Sequence, residues 1–293
     1  QMNKIVCFGE VLWDVFPNNK IIGGAPFNVA YRLNSLGMEA SIISSIGNDS
    51  SGELLIKQIK KFEINTTNIQ KHPSLKTGEV KIVINENGIA TYQILSPVAW
   101  DEISITKSGF NEVKKSSAFV YGSLSSRNEY SKKTLLELLK NAKFKIFDLN
   151  LRPPHYSIDT IKLLTKNADL LKCNQEELLF LSKIYGYKKN DLKQIMIFLS
   201  EKTNTSNICV SRGENGAILY QNGDFFEHSG YKINVKDTVG AGDSFLAALI
   251  YFQMQNFSLE KSLKLACAMG ALVSKFDGAN PKISTNSLIS LAK

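Results

Sequence analysis

The chain has 293 residues, 43% of them hydrophobic and 21% charged, the composition of a folded globular protein long enough for one large α/β domain or two small ones. No apolar run approaches the roughly 20 residues that span a bilayer, and no targeting segment is expected ahead of the first strand, so no membrane partner is expected and the cytoplasm is the expected location. The net charge of +8 sits in short scattered groups (Lys60-Lys61, Lys114-Lys115, Lys132-Lys133, Lys188-Lys189) without interleaved stacking aromatics, so a nucleic-acid partner is not expected either, although the excess would steer anionic ligands inward.

Apolar strand patterns fall at Ile5–Phe8, Ala40–Ile46, Ala118–Gly122, Lys145–Asn150, Asp169–Cys173 and Asn207–Ser211. Helical patterns separate them at Pro26–Leu36, Gly52–Phe62, Glu129–Ala142, Ser157–Lys166, Gln175–Ile184 and Asp191–Glu201. Pro26 suits a first helical position and Gly37 a stop. Strand–helix alternation of this kind predicts a mostly parallel sheet covered by helices on both faces.

Two segments break the rhythm. Val80–Ile84 and Thr91–Ile94 alternate around Asn87-Gly88, a turn in which both central residues take positive φ, and the resulting hairpin is expected to project from the main sheet as a lid. A second antiparallel pair is expected at Ala217–Tyr220 and Asp224–His228, joined by Asn222-Gly223, followed by helices at Asp243–Met254 and Leu259–Lys275. Cys7, Cys173, Cys209 and Cys267 lie far apart in apolar or small-residue segments and are expected to be reduced and buried. With no metal spacing among His72, His155 and His228, a zinc site is not expected.

The stretch richest in chemistry is Asp237-Thr238-Val239-Gly240-Ala241-Gly242-Asp243, running directly into an apolar helix. Gly240, Ala241 and Gly242 allow a tight turn whose N–H groups, backed by the helix dipole, would receive negative charge. Asp243 at the edge of such a hole would accept a proton from an attacking hydroxyl; taken alone, it would serve equally as a helix cap. No G-x-x-x-x-G-K-[ST] occurs and Gly23-Gly24 lacks G-x-G-x-x-G spacing, which argues against a P-loop and against a dinucleotide-binding oxidoreductase.

These residues resemble the ribokinase-like, or PfkB, carbohydrate kinases: Asp237–Asp243 matches the family's C-terminal signature and Gly23-Gly24-Ala25-Pro26-Phe27-Asn28-Val29-Ala30 its N-terminal one. The resemblance covers essentially the whole chain. It implies one domain over residues 2–293, a three-layer α/β sandwich with a mostly parallel central sheet and a small β lid from about residues 10–24 and 77–99. It also implies an enzyme that uses ATP with Mg2+ to phosphorylate a small sugar. The exposed, partly apolar lid is expected to form a homodimer, since an isolated hairpin face otherwise meets water. Asp14, Gly24 and Asn28 would hold the sugar, the bland alternatives being a turn carboxylate and a polar helix start. Asn174 and Glu177, in an N-x-x-E motif, would hold Mg2+ largely through water beside the phosphates, or simply cap a helix. Ser211, Gly213, Gly216 and Asn280 would border the nucleotide. Asp237 with the Val239 and Gly278 carbonyls would take a monovalent cation such as K+, although Lys282 stands where some relatives carry a small hydroxyl residue. Arg152 would meet phosphate or acceptor, or else pair with Asp148.

Phe8–Pro17, the Gly-Gly-Ala-Pro form of the first signature and Asp148–Pro154 all look like fructokinases. The expected reaction is therefore phosphorylation of a primary hydroxyl, most closely D-fructose to fructose 6-phosphate. Ribose, 2-keto-3-deoxygluconate and a non-catalytic sugar-binding regulatory module stay open as alternatives.

Overall fold

The computed structural model describes residues 3–84 and 90–293; the Asn87-Gly88 turn expected from sequence lies outside the described residues. In chain order the strands are β1 (Lys4–Phe8), β2 (Leu12–Val15), β3 (Lys20–Gly23), β4 (Glu39–Gly47), β5 (Ile69–His72), β6 (Gly78–Ile84), β7 (Ala90–Ile94), β8 (Ala118–Gly122), β9 (Lys145–Asp148), β10 (Leu170–Asn174), β11 (Asn207–Ser211), β12 (Ala217–Gln221) and β13 (Asp224–His228). The helices are α1 (Ala25–Ser35), α2 (Ser50–Lys61), α3 (Lys107–Lys115), α4 (Glu129–Leu139), α5 (Ile158–Lys166), α6 (Gln175–Ile184), α7 (Leu192–Thr203), α8 (Ala241–Met254), α9 (Leu259–Val273) and α10 (Thr285–Leu291).

The main sheet runs β13-β12-β11-β10-β9-β8-β1-β4-β5, parallel from β11 to β5 and antiparallel only at the β12 and β13 edge. Alternate residues of each strand meet different helix layers. Ile5 and Cys7 face a core shared with α1, α8 and α9, while Val6 and Phe8 face one shared with α4, α5, α6 and α7. Two covered faces explain the near-continuous apolar runs in the strand sequences. β1 enters the sheet first, the chain adds β4 on one side and then β8 on the other, and a crevice opens at the strands' carboxyl ends at that reversal.

A second sheet, β3-β2-β6-β7, pairs β2 with β6 in parallel and β6 with β7 in the expected hairpin. It stands over the same carboxyl ends, because β2 and β3 leave β1 and return to α1 before the main sheet resumes.

Several boundaries differ from the sequence reading. β9 stops at Asp148 because Asn150 takes φ +39°, a left-handed bend that turns the chain out of the sheet. α2 begins at Ser50, two residues early, since Asp49 caps it by accepting from the Gly52 N–H at 2.7 Å. Ser157 and Asp191 are caps rather than helical residues. β5, α3 and α10 have no counterpart in the sequence reading; each is short and buries only one or two side chains, too little for a period to register.

Candidate active site

The site is built around the start of α8. Its first dozen residues are almost wholly buried between α1 and α9, so the helix end is fixed rather than frayed. Gly240 caps it at φ +73°, and a Cβ there would lie 2.5 Å from Ala279 Cα, so both conformation and space demand glycine. The Ala241 N–H turns back to the Thr238 carbonyl at 3.2 Å. The amides of Gly242 and Asp243 follow in the first turn, where a helix offers no acceptor, and Gly240 has no side chain to cap them. Of the expected Gly240–Asp243 hole, those two N–H groups with the helix dipole are the part suited to an anion.

Asp243 is 8% exposed. Burial raises its carboxyl to about 6 and nearby Asp148 pushes the same way, while Lys172, the Asn28 hydrogen bond and Arg152 oppose the rise. Asn28 Nδ2 donates to Asp243 Oδ2 at 2.8 Å, and Asn28 Oδ1 accepts from Asn280 Nδ2 at 2.8 Å. The Asn28 amide, expected to face sugar hydroxyls, thus joins the carboxylate to the chain after α9. Asn280, expected at the nucleotide, has its side chain on Asn28. One turn further along α1, the fully buried Arg32 donates to Ser244 Oγ at 3.1 Å and to the Pro281 carbonyl at 2.9 Å, clamping the same three segments with no carboxylate partner among the described residues.

A cavity of about 530 Å3 opens in front of Asp243. Asp14, Gly24, Asn28, Arg152, Asn174, Glu177, Ser211, Gly240 and Gly242 all line it with Asp243, so most of the residues singled out from sequence, 229 positions apart at the extremes, meet in one place. Asp14 projects from β2 and burial raises it to about 6, against the pull of Arg152. Gly24, at φ +110°, packs its Cα against the backbone of Glu10 and Val11, which gives its lack of a side chain a structural reason beyond any ligand. Arg152 is exposed at the mouth, and among the described residues its side chain hydrogen-bonds only the Leu151 carbonyl. The alternative pairing of Arg152 with Asp148 does not occur among the described residues; Asp148 pairs with Lys172 at 3.0 Å.

Three residues of the cavity were missed from sequence. Glu10 is 3% exposed, burial raises it to about 7, and its Oε2 has no hydrogen-bond partner among the described residues. Lys172 occupies a position on β10 whose alternation calls for an apolar side chain. Burial works against its charge, yet Asp148, Asp243 and Glu177 outweigh that and hold it above the ordinary lysine range. The available signal was that lysine inside an apolar strand, two residues before Asn174. Thr238 borders the cavity from the signature loop.

Asn174 and Glu177 form a reciprocal capping box. Glu177 N–H donates to Asn174 Oδ1 at 2.8 Å, and Asn174 N–H donates to Glu177 Oε2 at 2.9 Å. Glu177 Oε1 also accepts from the Leu151 N–H at 2.7 Å, so both of its oxygens are engaged by the backbone. Among the described residues, no group of three or more acidic, histidine or cysteine side chains stands close enough to grip a metal directly. An exposed Asn174 beside an anchored carboxylate fits Mg2+ held through its own waters and bound chiefly by phosphates.

Beyond Gly242 lies a second cavity, about 210 Å3, with Tyr231, Ile233, Val235, Phe245 and Cys267 among its walls and Gly213 and Gly216 at its edge. Ser211, Thr238 and Gly242 line both cavities, so the two chambers meet at the start of α8. Asp237 straps the loops behind this junction, accepting from the Val239 N–H at 3.0 Å and the Gly278 N–H at 2.9 Å. A chamber lined by several charged side chains, Asp243 among them, and a more apolar one, the two meeting at Gly242, suit an α/β group-transfer enzyme, which must hold an anionic donor and a polar acceptor at once.

A profile of the pfkB family of carbohydrate kinases matches residues 2–286, and the chain belongs to that family. It is 28% identical to a probable chloroplastic fructokinase of Arabidopsis thaliana, over 97% of this chain and 81% of that protein. The fold is shared with a fructokinase of Xylella fastidiosa solved with bound ATP, at a TM-score of 0.88 and 22% identity, covering 99% of this chain and 98% of the other. A sugar kinase of Pyrococcus horikoshii in complex with ATP superposes at a TM-score of 0.81 with 27% identity, covering 94% of each chain. The four cysteines are free and buried, and among the described residues no helix is long and apolar enough to cross a membrane.

Proposed function

We propose that this sugar kinase transfers the γ-phosphoryl group of ATP to the primary hydroxyl of D-fructose, giving fructose 6-phosphate, with Asp243 as the base. One observation carries the reading: a buried carboxylate in the larger chamber, next in the chain to Gly242, where that chamber meets the smaller one at the start of α8. Fructose as acceptor is supported by the fructokinase likeness over nearly the full chain.

In this mechanism the base and ribose of ATP occupy the 210 Å3 chamber along Gly213 and Gly216, and the phosphates pass Ser211 and Gly242. The sugar lies in the larger chamber against Asp14 and Gly24, its hydroxyl towards Asp243. Asn28 holds the Asp243 carboxylate in one orientation, so that it faces the hydroxyl rather than rotating. As the hydroxyl oxygen attacks phosphorus, Asp243 accepts its proton, and the α8 amides meet charge on the transferring group. Asn174 and Glu177 would hold Mg2+ through water, and that ion neutralises the phosphates when bound. Asp237 with the Val239 and Gly278 carbonyls would hold a monovalent cation, tested by the potassium dependence of turnover.

The second sheet serves as the lid, excluding water that would otherwise compete as acceptor. Tyr92 on β7 lines the sugar chamber yet stays 60% exposed, so the open side of the lid is the place a second copy of the chain would cover, and light scattering that finds only monomer would exclude the dimer. The reduced thiols agree with a cytoplasmic setting.

A second reading of the acceptor rests on Arg152. An exposed guanidinium at the cavity mouth, with no carboxylate partner among the described residues, suits a sugar acid such as 2-keto-3-deoxygluconate. Sugar-dependent ADP release, measured over fructose, ribose and sugar acids, decides between them. No ADP release with any acceptor, alongside measurable sugar binding, would instead leave a sugar-binding regulatory module.

A further inference from the structure

Lys172 holds a buried positive charge that the proposed proton transfer does not use. It is 6% exposed and points from β10 towards α8, on the face where its strand neighbour Leu170 joins the apolar core. Parallel pairing sets it directly across from Asp148, whose Oδ1 accepts from its ammonium at 3.0 Å. An ammonium has three N–H donors, and among the described residues this is its only hydrogen bond. A structural counter-ion would be expected to satisfy Asp148 in full, yet Asp148 Oδ2 has no partner among the described residues.

The place of the charge is more telling than its burial. A Cβ on Gly242 would come 3.1 Å from Lys172 Nζ, so the ammonium stands against the α8 amides, in space that any side chain at 242 would fill. Glu10, Asp14, Glu177 and Asp243 line the same cavity, and Arg152 is its other cation, at the exposed rim. A polyphosphate entering that acidic chamber needs positive charge at its inner end.

We infer that Lys172 is a phosphate-binding residue of the transfer centre, its ammonium anchored by Asp148 and donating to oxygens of the nucleotide's terminal phosphates beside the Gly242 amide. The inference rests on the reading of the chain as an ATP-dependent kinase. It adds a fixed charge that moves with neither lid nor metal, and it accounts for glycine at 242.

Calorimetry with AMP and ADP on wild type, Lys172→Met and the double variant Asp148→Asn/Lys172→Met tests it, with melting curves alongside. The double variant removes the carboxylate that the single change would leave buried and unpaired, and so keeps the test open should the single variant fail to fold. In the folded variants ADP binding should weaken about 10-fold to 100-fold while AMP binding stays within about twofold, because only the terminal phosphate loses a charged donor. The KM for ATP should rise and kcat should fall. Folded variants with an unchanged ADP-to-AMP preference would overturn the role of Lys172. An absence of sugar-dependent ADP release in wild type would overturn the kinase reading instead, and the binding comparison would still decide on Lys172.

Discussion

Asn28 Nδ2 and Asp243 Oδ2 are 2.8 Å apart and 215 residues apart in sequence, so the first turn of α1 holds the first turn of α8 through one amide. The same amide accepts from Asn280, and Arg32 repeats the clamp one turn on. The orientation of the proposed base is therefore a property of helix packing, not of α8 alone.

Asn28→Ala removes the donor that steadies Asp243 and opposes the rise of its pKa. We expect kcat to fall about 10-fold to 100-fold, within the range for general-base positioning. The acid limb of the kcat/KM profile, near pH 6 in wild type from the value of Asp243, should move to higher pH. A lowered rate with an unmoved limb would mean that Asn28 serves packing only.

Asp243→Asn should abolish turnover by about 10²-fold to 10⁴-fold and stabilise the fold near neutral pH. The unfolded chain releases the Asp243 proton near 3.8, whereas the folded chain keeps it to about 6, so the folded state binds more protons in that window and wild-type stability falls as pH rises through it. The neutral variant escapes this fall. Its advantage should be small at pH 4, grow towards pH 6 and stay level above, reaching about 1–3 kcal/mol in chemical denaturation. Equal stabilities at pH 4 and pH 7 would contradict the burial of that charge.

Glu177→Gln tests whether the capping box and the metal role coincide. Glutamine keeps one acceptor and turns an NH2 group towards a backbone N–H of Asn174 or Leu151, which should cost about 1–3 kcal/mol in melting experiments. The Mg2+ concentration for half-maximal activity should also rise several-fold. Loss of stability with an unchanged Mg2+ dependence would leave Glu177 as a cap alone.

Gly240→Ala places a side chain at φ +73° against Ala279. The left-handed conformation alone costs about 1–2 kcal/mol, and relief of the clash must shift the turn that presents Gly242 and Asp243. Activity should drop more steeply than thermal stability. A fully active Gly240→Ala enzyme would show that the turn's geometry does not matter to the reaction.

The residue types of the site were legible because chemistry restricts them locally. Gly-Ala-Gly-Asp before an apolar helix specifies a turn, a dipole and a carboxylate within a few residues, and the two signatures implied the family now matched over residues 2–286. Strand and helix order could be read for the same reason, since a strand covered on both faces must be apolar along its length. Short or half-covered elements such as β5 and α3 escaped, because one or two buried side chains set no period.

What sequence alone determined was this local vocabulary: alternating elements, glycine where φ is positive, and an acid at a helix start. Tertiary structure decided the partners. It turned Asn28 to Asp243 and Asn280, turned Glu177 to the backbone of Asn174 and Leu151, and set Lys172 between Asp148 and the start of α8. A side chain's chemistry is carried by its own residue, but hydrogen bonds and buried charges depend on distances of about 3 Å between segments that only the packed sheet and helices bring together.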